Sequence, residues 1–471
     1  MSQLHDLTAL EQAAAIRNRE VSAVELTQHY LERSERLSDE VGAFVRLTPE
    51  LALEAALEAD QTVADGRDDL PQLFGVVCPI KDLDFVAGVP TQFGSAVYNI
   101  TPIADDNFVA KLRQGGLVFT GKTNTPEFGL PCYTEPDVAP PARTPWDLTR
   151  SAGGSSGGAA AAVAAGLAPL AHGSDGGGSV RIPSSVTGLV GIKPSRGRIS
   201  NGPLKDSVGD LTTNGSIARN VADAAALLDV MSGNFPGDPI TAKPPVKGTF
   251  LDAARRDPSK LRIGVFTRPA LTHVVVNPEV LGAIDATVAQ LEQLGHTVEE
   301  APAPFDEGVL PLFMTVWSTL AGLTPVTPEQ EAQLRPLTRY LRELGQQVTG
   351  AQLGATLSMI RMSSRAYMEA AADFDAVLCP TLADIPALVG QLRNDDDPAA
   401  DFNAQATFSP FCAAFNVTGQ PAINVPMNWS ADGLPIGVQL VGRMNDEETI
   451  ISLAAQLESV SDWTSRKPAL W

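Results

Sequence analysis

Two glycine- and serine-rich clusters lie within a stretch of the chain that also contains apolar segments typical of a protein core. The first cluster, 153–158 (GGSSGG), runs directly into an alanine-rich segment, 159–165, that is predicted as a helix. The second cluster, 173–183 (GSDGGGSVRIP), is followed by the apolar segment 189–192. Flexible linkers lack apolar segments of this kind. The two clusters are therefore predicted to be tight turns inside a folded domain, with polar groups gathered at one site.

Composition places the chain among globular proteins. Of its 471 residues, 44% are hydrophobic and 19% are charged, which excludes a disordered chain. The formal net charge of −21 argues against wide contact with nucleic acid phosphates. We therefore expect no nucleic acid partner. We also expect no membrane partner, because neither a signal peptide nor a bilayer-spanning segment is recognisable.

Cysteine and histidine usage gives a second set of expectations. The four cysteines lie far apart without a CxxC pair, which is typical of a reducing compartment, and we predict a cytoplasmic protein. The five histidines show no metal-ligand spacing. We predict no metal and no cofactor.

Helical and strand patterns alternate along the chain, which predicts a large α/β layered fold. No composition break requires a domain boundary, so one domain over 1–471 is expected. Its predicted segments are an N-terminal helical segment 1–65, a catalytic core 66–230, a Pro/Gly-rich loop 231–260, and a remainder 261–471 with substrate-pocket helices. The patterns within them predict short strands at 73–77, 117–120, 261–266 and 297–300 and a helix over 278–294.

Two short motif matches are misleading in this context. Residues 116–123 fit GxxxxGK[ST] letter for letter, but the inner residues 117–120 are predicted to be a strand, whereas a phosphate-binding loop follows a strand and opens a helix. Residues 154–158 fit GxSxG, the nucleophile elbow of α/β-hydrolases, but no hydrophobic strand precedes them. We keep an esterase of that type as a less favoured alternative.

The second cluster is predicted to form an oxyanion hole. Gly176, Gly177 and Gly178 have no Cβ, so their N–H groups can turn toward one point, and Ser179 follows them directly. Converging backbone donors stabilise the oxyanion of an acyl-transfer reaction. Ser179 is therefore the candidate nucleophile.

A serine nucleophile needs a base, and no histidine is placed to provide one. Lys81, which follows the predicted strand 73–77, is the candidate. It can accept a proton only when neutral, which requires burial and neighbouring groups to lower its pKa by about three units. Ser155 or Ser156 could pass the proton between Lys81 and Ser179.

Together these residues resemble the amidase signature family. Lys81 lies 74 residues before Ser155, and Ser155 lies 24 residues before Ser179, spacings that the family shares. The resemblance runs from about residue 5 to about residue 465. Further segments that carry it are 121–128, 145–147, 191–194, 415–421 and 433–442.

The resemblance implies a fold and a set of residue roles. The fold is a mixed central β-sheet of about eleven strands with helices on both faces. The catalytic triad is Ser–cis-Ser–Lys, with Ser179 as nucleophile, Ser155 as the bridging serine on a cis peptide bond, and Lys81 as base. The supporting residues that it implies are Ser156, which hydrogen-bonds within the network, and Asp175 and Arg181, which brace the loop.

The resemblance also implies an activity. The expected reaction is hydrolysis of amide C–N bonds through an acyl-enzyme, on small or synthetic anilides and aliphatic amides, and on carbamates (urethanes) or esters. Within the family, the sequence is similar to the cyclic-dimer hydrolases of nylon-oligomer breakdown and to aryl-amide and urethane hydrolases. The expected partner is a small-molecule amide, and a homodimer is left open. The glutaminase subunit of a tRNA-dependent amidotransferase belongs to the same family and stays an alternative.

Two departures from the family pattern concern the substrate pocket. The family often has Thr or Ile where this chain has Gly176, and the loop 133–141 is unusually rich in proline. Neither departure touches the triad. We expect Tyr133 and Trp317 to contribute to the pocket.

Overall fold

The computed structural model describes residues 3–205 and 207–471, and in this part of the chain helices and strands are interspersed. The first two residues of the predicted segment 1–65, and residue 206 of the predicted core 66–230, lie outside the described residues. The helices are α1 (Ala9–Arg17), α2 (Ala23–Val41), α3 (Pro49–Ala64), α4 (Asn107–Gln114), α5 (Gly157–Ala164), α6 (Arg181–Thr187), α7 (Val221–Met231), α8 (Phe250–Ala254), α9 (Pro278–Gln293), α10 (Val309–Leu323), α11 (Pro328–Glu331), α12 (Pro336–Gln346), α13 (Gly350–Ala370), α14 (Pro398–Phe408), α15 (Ala414–Thr418) and α16 (Glu447–Ser459). The strands are β1 (Phe44–Leu47), β2 (Ile80–Lys81), β3 (Gly121–Thr123), β4 (Leu170–Asp175), β5 (Val190–Lys193), β6 (Thr213–Ala218), β7 (Arg262–Val265), β8 (Thr297–Glu300), β9 (Ala376–Pro380), β10 (Ala422–Trp429) and β11 (Pro435–Gly442).

The strands form two sheets. Eight strands make a mixed sheet in the order β4-β6-β5-β10-β11-β9-β7-β8, in which only the pairs β9–β7 and β7–β8 are parallel. A second sheet has the order β1-β3-β2. The predicted mixed α/β fold is confirmed, with its strands divided into sheets of eight and three.

The large sheet is covered on both faces because its strands alternate their buried side chains. Leu378 of β9 packs into a core that α7, α9 and α16 cover. Its neighbours Val377 and Cys379 point to the other face, where they meet Tyr367 of α13 and Phe415 of α15. Successive side chains of a strand point to opposite faces, so a strand buried on both sides is apolar throughout.

Several predicted elements agree with the structure and others are displaced. The predicted segments 278–294 and 297–300 correspond to α9 and β8. The predicted strands 73–77 and 117–120 are displaced. Within them, Val77 and Val118 form one isolated parallel bridge. Strand β2 begins three residues after the end of the first predicted strand, and β3 begins one residue after the end of the second.

Two predicted segments contain elements that the sequence did not indicate. The predicted Pro/Gly-rich loop 231–260 includes helix α8, whose Phe250 and Leu251 are buried in the main core. The predicted helical segment 1–65 includes strand β1, which pairs with β3. None of the helices in the described part of the chain is both long and apolar enough to cross a membrane.

The segment that matches the phosphate-loop pattern ends in the short buried strand β3 and does not open a helix. Lys122 of β3 lies 3.1 Å from the carboxylate of Asp82 and donates to the Asp84 carbonyl oxygen at 2.6 Å. Its ammonium group is therefore held inside the protein by structural partners.

Candidate active site

Lys81 lies at the end of β2, beside the C-terminal end of β4, and its side chain is fully buried. Its ammonium group donates hydrogen bonds to Ser155 Oγ at 2.8 Å and to Ser174 Oγ at 3.1 Å. Burial lowers the pKa of Lys81 to about 7, although the carboxylates of Asp84 and Asp175 act in the opposite direction. A substantial fraction of Lys81 is therefore neutral near pH 7.

Ser155 lies in the turn before α5. The peptide bond between Gly154 and Ser155 is cis, as the resemblance implied. A Cβ at Gly154 would lie 2.7 Å from the backbone of Tyr133, so a side chain would not fit at this turn. Ser156 donates to the carbonyl oxygen of Ser174 and accepts from its N–H, both at 3.2 Å. Ser156 thus ties the first cluster to β4.

Ser179 lies between the three glycines 176–178 and α6, with 7% of its surface exposed. Within the described chain no hydrogen bond joins its hydroxyl to Ser155 or to Lys81. The first link of the predicted relay, from Lys81 to Ser155, is present in this structure, whereas the second is not. Catalytic hydrogen bonds are often long without substrate and tighten only when it binds.

The predicted oxyanion hole needs one correction. The N–H of Gly178 donates to the Asp175 carboxylate at 2.8 Å and is already engaged. The N–H groups of Gly176, Gly177 and Ser179 have no hydrogen-bond partner among the described residues. The available donors are therefore these three, and Gly178 instead shapes the loop, at a φ of 128°.

A buried ion pair fixes the loop that carries Ser179. The guanidinium of Arg181 makes two hydrogen bonds to Asp175, at 2.9 and 3.0 Å, and both residues are fully buried. Burial by itself would raise the pKa of the Asp175 carboxyl, but Arg181 holds that pKa well below its usual value. Asn416, which the sequence analysis did not single out, donates to the same carboxylate at 2.9 Å and accepts from Arg181 at 2.7 Å. This cluster braces the loop from behind.

Arg181→Met should lower the free energy of unfolding by about 3–5 kcal/mol, because Asp175 would be left as a buried charge without its partner. Urea unfolding at pH 7 measures this change. Arg393→Met is the matched control, since Arg393 pairs with Asp395 and Asp137 near the surface and its loss should cost less than about 1 kcal/mol. Equal changes in the two variants would contradict a bracing role for Arg181.

Ser179 lies on the wall of an apolar pocket. Trp317 and the neighbouring Phe313 line this pocket. Tyr133, also expected there, is not among the residues that line this pocket: it is 1% exposed, packs in the hydrophobic cluster of Ile182 and Val186, and donates through its hydroxyl to Asp401 at 2.7 Å. Residues of the pocket that the sequence analysis did not identify include Leu130, Cys132, Phe266, Leu271, Phe305, Leu310 and Phe402.

His172, the histidine nearest to this site in the sequence, is held by packing and hydrogen bonding inside the protein. It lies on β4, fully buried, with its ring stacked on Phe108 at a centroid distance of 4.4 Å. Nε2 pairs with Asn214 at 3.0 Å, and burial lowers the pKa of His172 to about 4. Among residues 3–205 and 207–471, no group of three or more His, Cys, Asp and Glu side chains is arranged to hold a metal ion.

Comparison with known proteins agrees with the fold and the motifs. The amidase family profile matches residues 25–451. The 6-aminohexanoate-cyclic-dimer hydrolase of Paenarthrobacter ureafaciens is 35% identical over 98% of this chain and 96% of its own. A solved structure of a 6-aminohexanoate cyclic dimer hydrolase superimposes with a TM-score of 0.92, at 33% identity over the whole of both chains. A bacterial aryl acylamidase, at 24% identity over 98% of both chains, shares the fold with a TM-score of 0.88. The chain therefore belongs to the amidase signature family of carbon–nitrogen hydrolases.

Proposed function

We propose that this protein hydrolyses the C–N bond of small neutral amides through an acyl-enzyme, with Ser179, Ser155 and Lys81 as its catalytic residues. The observation that carries the proposal is the contact of 2.8 Å between the fully buried ammonium group of Lys81 and Ser155 Oγ, beside the loop that presents Ser179. A buried lysine with a lowered pKa is able to act as a general base near neutral pH.

In the proposed reaction, Ser179 Oγ attacks the carbonyl carbon while its proton passes to Ser155 and the proton of Ser155 passes to Lys81. The carbonyl oxygen becomes an oxyanion that accepts from the free N–H groups of Gly176, Gly177 and Ser179. When the C–N bond breaks, the relay returns a proton to the leaving amine. Water then attacks the acyl ester while its proton passes through Ser155 to Lys81. When the bond between the acyl carbon and Ser179 Oγ breaks, the relay returns that proton to Ser179 and the carboxylic acid is released.

The pocket supports a neutral substrate with apolar groups. Aromatic and aliphatic side chains make up most of its lining, and Arg268, the charged residue among those lining it, is exposed at its rim. The related proteins are named for a cyclic amide and for aryl amides. We propose anilides and short aliphatic amides as the main substrates, with carbamates and esters as further ones.

A panel of anilides, aliphatic amides, carbamates and esters, assayed with the purified chain alone, tests this function. We expect hydrolysis of at least one amide class without tRNA, ATP or a partner protein, and loss of that activity in Ser179→Ala. If the chain alone hydrolyses no amide, and releases ammonia from glutamine only with a partner complex, the glutaminase-subunit alternative replaces this proposal.

A further inference from the structure

Gly176 leaves a space beside the candidate oxyanion hole, and Trp317 fills it. A Cβ at Gly176 would lie 3.0 Å from two carbon atoms of the indole ring, Cη2 and Cζ3. It would also lie 2.9 Å from Thr212 Cγ2. Gly176 does not have a positive φ, so backbone conformation is not what requires glycine here. The absence of a side chain at 176 is what allows the indole to reach the loop.

Trp317 is held firmly in this position. Its ring stacks on Phe313, one turn earlier on α10, with centroids 5.3 Å apart and an interplanar angle of 21°. Helix α10 in turn meets α12 backbone to backbone, because a Cβ at Gly345 would lie 1.9 Å from the Ser318 carbonyl oxygen. An aromatic pair on a closely packed helix moves little, so the indole forms a rigid wall.

The indole lies between two cavities. On one side is the apolar pocket that contains Ser179. On the other side is a larger cavity, which we call the second cavity, and Ser174, the partner of Lys81, lies on its wall. Trp317 and Leu130 line both. The other residues that define the second cavity include Phe85, Phe93, Tyr98, Phe128, Asn201 and Asn214.

We propose that Trp317, seated against Gly176, limits the width of the substrate beside the scissile carbonyl and keeps the second cavity closed to it. This inference rests on the proposed amide-hydrolase function. Substrates of the wild-type protein are then narrow next to the carbonyl, with a straight aliphatic chain or a single ring. Removal of the indole joins the two cavities and admits wider groups.

The test measures binding rather than turnover, in a Ser179→Ala background, so that it does not depend on chemistry. Dissociation constants are measured by calorimetry for acetanilide, benzanilide and N-phenyl-2-naphthamide, and for N-(2-naphthyl)acetamide, which is widened on the amine side. In Trp317→Ala we expect the affinity for a naphthyl amide, relative to that for acetanilide, to rise by about 10-fold or more. This rise should occur for the amide widened on the acyl side, for the one widened on the amine side, or for both. Trp429→Ala is the matched control, since Trp429 packs against Trp146 instead and its loss should leave this ratio unchanged.

A second set of variants tests the same contact without removing the indole. In a Thr212→Ser background, which removes the other close methyl group, Gly176→Ala should weaken acetanilide binding while Trp317 is present. In Trp317→Ala it should have much less effect, because residues in contact give non-additive changes. Additive changes, or an unchanged width preference in folded Trp317→Ala, would overturn the inference. If the wild-type chain hydrolyses no amide but these shifts occur, the proposed reaction fails and the role of Trp317 stands.

Discussion

Ser179→Ala should reduce kcat by about 10⁶-fold, the loss that is typical when a serine nucleophile is removed. The relay would then have no oxygen to activate, although Lys81 and Ser155 would keep their contact. Removal of a hydroxyl at the wall of a pocket creates no large cavity, so the free energy of unfolding should change by less than about 1 kcal/mol. Single-turnover kinetics and urea unfolding measure the two effects.

Covalent labelling identifies the nucleophile directly. A fluorophosphonate should modify Ser179 and no other serine, since Ser155 and Ser156 lie behind it with their hydroxyls engaged. The matched control is Ser184→Ala, in the helix that follows, where the hydroxyl donates to the Val180 carbonyl oxygen and has no other hydrogen-bond partner among the described residues. This variant should label and turn over normally. An adduct on another serine, found by mass spectrometry, would mean that the nucleophile is misassigned.

Lys81→Met should reduce kcat/KM by about four to six orders of magnitude, because the relay loses its base while the shape of the site is kept. In the wild type, kcat/KM should rise with pH through an apparent pKa near 7, as Lys81 loses its proton. That apparent pKa belongs to the coupled Lys–Ser–Ser unit. A flat pH profile, or an active Lys81→Met, would contradict the assignment of the base.

The same variant makes a prediction about stability. The pKa of Lys81 is lowered from 10.5 to about 7 in the folded protein, so between these values the unfolded chain binds more protons. Wild-type stability therefore gains about 1.4 kcal/mol per pH unit from this residue as pH rises across that window. Lys81→Met lacks this gain. Its unfolding free energy relative to the wild type should fall as pH rises from 7 to 9.5.

Lys193 provides the matched control for both measurements. It is also fully buried, burial lowers its pKa to about 7, and it donates to the Pro194 carbonyl oxygen at 3.0 Å without a hydrogen bond to Ser155 or Ser179. Lys193→Met should show the same pH dependence of relative stability and keep the activity of the wild type. A loss of activity equal to that of Lys81→Met would mean that buried charge, and not the relay, explains the effect.

Local patterns were enough to locate many elements of the fold. The helix and strand at 278–300 begin after Asn277, which caps the helix through its side chain, and the helical periodicity stops at Gly295. Strand β4 was missed because its residues, Leu170–Asp175, include His, Gly, Ser and Asp, which read as a turn. These polar groups are tolerated in the interior because neighbouring strands and the side chains of the candidate site form hydrogen bonds with them. No local pattern carries that information.

The sequence by itself determined the family, the spacing of Lys81, Ser155 and Ser179, and the need for a buried lysine, because these follow from residue types and their order. The tertiary structure alone decided which neighbours surround those residues. It engaged the N–H of Gly178 with Asp175, buried Tyr133 against Asp401, and placed Trp317 in the space left by Gly176. The Tyr133–Asp401 and Trp317–Gly176 contacts join residues 268 and 141 positions apart, so they depend on how helices and sheets pack, and packing is a property of the whole chain.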